Sequence, residues 1–538
     1  MTDLPENVQR IGACLSHHAA QTPGHEAAVH GGSRLSYGEL AAEVTRWSKA
    51  FLAAGIMKGD RVAMLTAPSI DWLVVMLAAS DIGAIWLGYH PRYMMPEFGH
   101  VTGLAEPKVI VAPRTLHGRD YGDELAALRS DHACVERIVM LDGGLPGATP
   151  AETFLAGSET VDDGVLADAC DGVAIDDTAV IIFTSGTTGR PKGAMVRHRA
   201  LLTGAMTELG HWPQVRPRIL HMMPVNHIAG VGMVGAFGLH AGGTFVFQDR
   251  FDAGDLLRLI EAEKISFLLG SPVQFHMMAN HPELRRHDLS SLRYKVWGGA
   301  AMARDLVEKL ARLPGRLCTA FGMTELGLYA TYSDLDAPVE VLGRTIGRPH
   351  TDYDIRIADT DGNEAEPGGT GEIQAKGPWL MAGYFRDTAA TEEAYTADGW
   401  FRTGDIAKVW PDGNLEIVGR LKEMFISGGF NIYPREIESV LESHPAVGLV
   451  AVLGVADGTF GEVGHAFVEL LPGREAAASD LKDWCAERLA NYKVPKTFSI
   501  RPELPRLPIG KIDKQALKKE LADLESGETS AQEFGSGP

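Results

Sequence analysis

Short apolar runs recur along the first two thirds of the chain, each bounded by Gly, Pro, Asp or Asn. Arg61–Thr66 (RVAMLT), Lys108–Pro113 (KVIVAP) and Thr178–Phe183 (TAVIIF) are continuous aliphatic or β-branched runs of strand length. Such runs suit strands buried on both faces of a parallel sheet. Between them, Ser69–Asp81 (SIDWLVVMLAASD) has helical length, with Ser69 placed to cap its N-terminus. This alternation runs from about residue 35 to 145 and resumes from Thr178 to about 320, which predicts a layered α/β body.

After Gly343 the pattern changes. Tyr353–Gly377 and Ile406–Arg420 each read as strand, turn, strand, the second around Asp412-Gly413. They predict a smaller antiparallel sheet or distorted β-barrel subdomain. Beyond Arg420 a second α/β unit is visible. Arg435–His444 places Ile437, Val440 and Leu441 on one helical face. Gly448–Val455 and Gly464–Leu470 read as strands, and Ser479–Tyr492 reads as a helix. The final stretch, Glu525–Pro538, is polar and expected to be disordered. The expected division is a large domain over 1–419, a small domain over 420–520 and a tail over 521–538.

Composition narrows the class. A chain of 538 residues with 45% apolar content implies more than one domain and a sizeable core. No apolar run reaches the roughly 20 residues of a membrane span; Trp72–Gly88 comes nearest and Asp81 interrupts it. The N-terminus, MTDLPENVQR, lacks the features of a signal peptide. Five cysteines, Cys14, Cys134, Cys170, Cys318 and Cys485, lie far apart without zinc spacing. They read as small core hydrophobes in a reducing compartment, so a cytoplasmic location is expected. A formal net charge of −20 argues against a general nucleic-acid or anionic-membrane binder. A polyanionic substrate stays open, because local Lys and Arg reverse the field inside a cleft.

The chemistry concentrates in a few segments. Thr184–Gly193 (TSGTTGRPKG) follows a predicted buried strand. Gly186 and Gly189 free the backbone, Ser185, Thr187 and Thr188 offer hydroxyls, and Lys192 adds a positive charge. Together they read as a phosphate grip, though not a Walker A loop, because Lys192 is followed by Gly193. Ala320–Glu325 (AFGMTE), Trp400–Asp405 (WFRTGD), Gly419–Glu438 (GRLKEMFISGGFNIYPREIE) and Leu504–Lys514 (LPRLPIGKIDK) add further polar clusters. Taken singly, each has a bland reading as cap, turn or solvated charge.

Taken in order, TSGTTGRPKG, FGMTE, WFRTGD, GRLKEMF and GKIDK resemble the adenylate-forming superfamily of acyl- and aryl-CoA synthetases, peptide-synthetase adenylation domains and beetle luciferases. The resemblance spans about Leu35 to Leu517. It implies ATP, Mg²⁺ and coenzyme A as the small molecules used, and an AMP-forming acid:CoA ligase as the leading function. Thr184 to Gly189 and Lys192 would hold the β and γ phosphates. Glu325 matches the Mg²⁺ ligand, supported by Thr188, and Lys511 matches the lysine that bridges substrate carboxylate and α-phosphate. Asp405 matches the carboxylate that takes both ribose hydroxyls, with Arg420 near the same sugar. Phe321, in Phe321-Gly322-Met323-Thr324, stands where the family often has Tyr against adenine. Gly298, Gly299 and Ala300 match the small-residue segment beside adenine and acyl group.

The same resemblance implies a small C-terminal domain that swings between two half-reactions about Lys422. Ser427–Pro434, with Gly428 and Gly429, would then face a coenzyme A tunnel, which His227 would gate while bordering the acyl pocket; the bland alternative for His227 is a core histidine. His227, Val231, Val234, Gly298 to Ala300 and Met323 are mostly apolar, favouring a medium-chain, alicyclic or aromatic acid. The Met-rich segments His221–Pro224 and Phe275–Asn280 read as ordinary core. Departures are Phe321, Ile509 where Thr or Ser is common, and Gly88–Phe98, which lacks the commoner Asn-Pro; none removes a catalytic group. Competing functions are an enzyme that loads a carrier protein, and a non-catalytic acyl or nucleotide sensor, against which Lys511 and Glu325 both stand. A homodimer is a further candidate partner, as is a lysine acetyltransferase, since Pro505–Lys511 resembles the setting in which bacterial enzymes acetylate this lysine. Acetylation would remove its charge.

Overall fold

The structure is a computed structural model that describes residues 8–184, 191–359, 362–506 and 512–526. The chain divides into two compact units, one of Met1–Ile355 with Ala375–Phe401 and one of Arg356–Gln374 with Arg402–Pro538.

Two large sheets form the first unit. In the seven-stranded sheet the spatial order is Lys192–Arg197, Thr178–Thr184, Ile85–Tyr89, Arg61–Leu65, Val109–Ala112, Arg137–Met140, Thr149–Pro150. All pairs are parallel except the first. That antiparallel pair, with Thr184 opposite Lys192, lets a short loop join its two strands. In the nine-stranded sheet the order is Arg348–Pro349, Leu328–Tyr332, Arg316–Met323, Tyr294–Trp297, Phe267–Gly270, Arg218–His221, Thr244–Phe247, Glu26–His30, Ser33–Ser36. Its middle is parallel and its edges antiparallel.

The expected strands and the capped helix are present. Helix Ile70–Asp81 begins where the Ser69 hydroxyl accepts the Trp72 N–H at 3.1 Å. It contacts both sheets through Ile85–Tyr89 and Glu26–His30, and every residue from Trp72 to Asp81 is buried. This explains why its sequence is apolar all round rather than striped. Its one buried charge, Asp81, pairs with Arg10 Nε at 3.0 Å, as a buried carboxylate requires. Cys14, Cys318 and Cys485 are buried, and burial pushes their thiols up to about 12, 11 and 11. They behave as core hydrophobes, while Cys134 and Cys170 are half-buried. Met222, Phe275 and Met278 are also core.

The second unit contains two sheets. Asp354–Ala358, Thr370–Lys376, Phe401–Val409 and Leu415–Arg420 pair in that order. The expected barrel is, among the described residues, this open four-stranded sheet. The other sheet runs Phe430–Ile432, Phe425–Ser427, Gly461–Leu470, Val447–Asp457, with Thr497–Arg501 parallel to Gly461–Leu470. Helix Pro434–Glu442 buries Ile437 and Leu441 as its spacing predicts. The next helix is shorter than expected, Ala478–Ala486, followed by a separate turn at Asn491–Lys493. Gly and Pro do not mark that stop, which hid it in the sequence. Helix Lys514–Ser526 runs past residue 521, where a tail was expected. Its Leu517 is buried beneath Ala451, Leu453 and Phe467, and this packing holds the segment helical.

Candidate active site

Ligands of open α/β sheets bind beyond the carboxyl ends of parallel strands. Three of the expected segments stand there. Thr184 ends one strand, Gly298 follows Trp297, and His227 follows Arg218–His221 through Met222–Pro224.

In the first unit, one carboxylate organises the centre. Glu325 lies in a short helical turn, Thr324–Leu326, directly after strand Arg316–Met323, and is 6% exposed. Its Oε1 accepts a hydrogen bond from the Tyr384 hydroxyl at 2.9 Å and another from the Thr184 hydroxyl at 3.4 Å. Tyr384 is fixed by backbone pairing: Met195 N–H donates to Gly383 O at 3.0 Å and Phe385 N–H donates to Gly193 O at 2.7 Å. The Lys192 ammonium stands 5.1 Å from the Tyr384 ring centroid, a cation–π distance. Burial and the neighbouring Glu325 push the Tyr384 hydroxyl pKa up, so it stays a donor. Strand Thr178–Thr184, Lys192 and the carboxylate are thus brought together.

Sequence reasoning missed Tyr384. The signal was available, in the Gly-Tyr-Phe of Gly383–Phe385 ahead of the Asp387-capped helix. Ser185, Gly186, Thr187, Thr188, Gly189 and Lys511 lie outside the described residues.

The glycine segment has a steric cause. A Cβ on Gly298 would meet Ala320 O at 2.8 Å, and Gly299 has φ +78 with open space around it. Gly299 and Ala300 are exposed. Strand Arg316–Met323 bulges between Phe321 and Gly322, a local kink that re-aims side chains. Phe321, Gly322 and Met323 are half-buried and Thr324 is buried.

His227 is exposed, so it is not a core histidine. It caps the following turn, its Nδ1 accepting the Ala229 N–H at 3.1 Å. The chain then forms a π-helical turn over Val231–Ala236, every residue buried. Such turns often occur at functional sites. His221, fully buried, packs its ring tilted against Trp72 with centroids 4.8 Å apart, its Nε2 bonding Gly230 O at 3.0 Å. Burial pushes its pKa down to about 4, so the ring is neutral.

In the second unit, Asp405 and Arg420 face each other across a strand pair, and Arg420 Nε donates to Asp405 Oδ1 at 2.9 Å. Asp405 is 4% exposed while the Arg420 side chain is 59% exposed. Lys422 is exposed on the turn Leu421–Glu423 that follows. Gly428 and Gly429, with φ +56 and +86, form the two-residue turn between Phe425–Ser427 and Phe430–Ile432. A type I′ hairpin turn requires positive φ at both positions, so turn geometry alone accounts for both glycines.

A magnesium ion suits Glu325, a hard oxygen donor held beside the phosphate-loop strand. No cluster of three or more His, Cys, Asp or Glu occurs among the described residues. Glu325 would be the residue that holds the ion.

The chain was compared with known proteins. The family described as AMP-binding enzyme matches residues 15–385, and the AMP-binding enzyme C-terminal domain matches residues 436–511. A feruloyl-CoA synthase of Amycolatopsis is 34% identical over 512 residues, covering 95% of this chain and 99% of that protein. A 3-[(3aS,4S,7aS)-7a-methyl-1,5-dioxo-octahydro-1H-inden-4-yl]propanoyl:CoA ligase of Mycobacterium tuberculosis is 34% identical over 518 residues, covering 95% of this chain and 99% of that protein. The solved structure of ATP-bound MatB from Rhodopseudomonas palustris aligns with a TM-score of 0.82 and 28% identity, covering 96% of this chain and 99% of that one. No helix among the described residues is long and apolar enough to cross a membrane. The chain belongs to the AMP-binding enzyme family, in its acyl- and aryl-CoA synthetase branch.

Proposed function

We propose that this AMP-forming acid:CoA ligase activates an alicyclic or aromatic carboxylic acid of medium size. The observation that carries the ligase reading is Glu325, held by Thr184 and Tyr384 at the end of the phosphate-loop strand. The acid class is supported by Val231 and Val234, buried and apolar in the π-helical turn, and by Gly298, where no side chain fits. Two of the relatives are named for acids with a ring.

In the first half-reaction a carboxylate oxygen attacks the α-phosphorus of ATP. The bond to the β-phosphate oxygen breaks and pyrophosphate leaves. Two anions must meet, so cationic and hydrogen-bonding groups carry the step. In this proposal Lys192 and the loop hydroxyls hold the β and γ phosphates. Lys511 bridges the carboxylate and the α-phosphate, and Asp405 takes the ribose hydroxyls with Arg420 beside it. Glu325, oriented by Tyr384 and Thr184, would hold a Mg²⁺ ion, which would neutralise phosphate charge. In the second half-reaction the coenzyme A thiol attacks the acyl carbon, the bond to the AMP phosphate breaks, and a thioester, AMP and a proton result. The C-terminal part, with its hinge at Lys422, moves between the two steps, and Ser427–Pro434 then serves the pantetheine arm. His227 borders the acyl pocket.

The test is thioester formation, followed by mass, over straight-chain, branched, alicyclic and aromatic acids. The reading predicts the highest kcat/KM for ring-bearing acids. A preference for acetate or propionate contradicts it.

A further inference from the structure

Helix His198–His211 contacts the π-helical turn Val231–Ala236 and strand Leu328–Tyr332. Leu201, Gly204, Ala205 and Glu208 are buried and spaced along one face of it. Leu201 Cδ2 is 3.4 Å from the position a Cβ on Gly232 would take. This face is therefore turned toward the segment assigned to the acyl group.

Glu208 is a buried acid on that face. It is 1% exposed, and its Oε2 has no hydrogen-bond partner. Burial holds its carboxyl well above the usual carboxylate range. Among the described residues, the hydroxyls of Tyr329, Tyr332 and Tyr353 feel its charge. Two of these hydroxyls are committed elsewhere: Tyr332 donates to Tyr329 O at 3.2 Å and Tyr353 to Thr207 Oγ1 at 2.9 Å. The Tyr329 hydroxyl stands 3.3 Å from the position a Cβ on Gly298 would take. Tyr329 thus links the glycine segment to the neighbourhood of Glu208. Buried polar groups without partners are costly, and each calls for an explanation.

We infer that Glu208 forms the polar end of the acyl pocket and that the acid carries an uncharged oxygen, a hydroxyl or ketone, at the end remote from its carboxylate. This rests on the ligase reading above. A neutral carboxyl donates through its O–H and accepts through its carbonyl oxygen, so it serves either group. A pocket built to hydrogen-bond such a group rejects the analogue that lacks it, because its own polar atoms are then left unpaired.

The experiment uses matched acids: 3-(4-hydroxyphenyl)propanoate against 3-phenylpropanoate, and 3-(4-oxocyclohexyl)propanoate against 3-cyclohexylpropanoate. CoA-dependent AMP release gives kcat/KM for each with the full-length protein. Wild type should favour the oxygen-bearing member of a pair by about 10²-fold or more. Glu208→Leu should bring the ratio to near unity, and Glu208→Gln should retain most of it. The ratio within one variant is independent of the fraction folded, so a poorly folding variant still answers. Equal ratios in wild type and Glu208→Leu overturn the inference while leaving the ligase reading intact, as does a wild-type preference for the apolar members. Stronger preference for a 4-aminomethyl analogue overturns the neutral carboxyl. No CoA-dependent AMP from any acid overturns the ligase reading and the inference together.

Discussion

The Tyr384 hydroxyl donates to Glu325 Oε1 at 2.9 Å, tying the segment Gly383–Phe385 to the carboxylate that follows strand Arg316–Met323. Backbone bonds to strand Lys192–Arg197 hold Tyr384 in place, so the pair couples three separate stretches of sequence. A hydrogen bond to a charged group is worth about 1.5–3 kcal/mol. Tyr384→Phe should therefore slow ATP–pyrophosphate exchange by about 10- to 100-fold. Glu325→Gln should cost about 10²-fold or more and raise the Mg²⁺ concentration needed for half-maximal exchange. An unchanged Mg²⁺ dependence in Glu325→Gln counts against its assignment.

Asp405 and Arg420 make a different prediction. Asp405→Asn keeps the shape but removes the charge proposed to accept the two ribose hydroxyls. The KM for ATP should rise by about tenfold or more, the scale of one charge-assisted hydrogen bond, with a smaller effect on the KM for the acid. Steady-state kinetics with each substrate varied separates the two. An equal change in both would place Asp405 outside the nucleotide site.

The two lysines of the C-terminal part should separate the half-reactions. Lys511→Ala should reduce adenylation by about 10²-fold or more while largely sparing thioester formation from preformed acyl-adenylate. Lys422→Pro, which restricts the backbone of an exposed turn, should do the reverse. Single-turnover measurements of each step decide the matter. Equal loss in both steps for either variant contradicts the two-state account.

Glu208 also predicts a pH dependence of stability. Its folded pKa lies above the ordinary value of 4.5 because burial favours the proton. The stability it contributes is complete below that unfolded value and is lost as pH rises through the folded one. Tyr329, Tyr332 and Tyr353, whose hydroxyls feel its charge, are all pushed up and stay neutral over this range. Glu208→Gln, which cannot ionise, should gain on wild type in Tm as pH rises from 5 toward 8. A Tm difference independent of pH would show that Glu208 ionises freely.

Much of this was legible in the sequence because the signals were local. Ser69 announces its helix through a side-chain cap, and Asp412-Gly413 announces a hairpin through its turn chemistry. Glu325 and Asp405 were singled out as parts of short motifs. Tyr384 was not, because its role depends on strand pairing with Gly193 and Met195, nearly 190 residues away in sequence. Glu208 was invisible for a related reason. A Glu in Thr207-Glu208-Leu209 looks solvated until the helix is seen packed against at least four other elements. The glycines at 428 and 429 have a local cause beside the proposed one: both sit at positive φ in a hairpin turn. The tail was placed too early because the apolar contacts of Leu517, which hold the last helix, are all long-range.

The most direct test of the account measures AMP and acyl-CoA together, with ATP, Mg²⁺ and a ring-bearing acid, with and without coenzyme A. The account predicts one AMP per thioester and multiple turnovers only when coenzyme A is present, with pyrophosphate exchange persisting in its absence. AMP formed without thioester, or exchange without any response to coenzyme A, would contradict it.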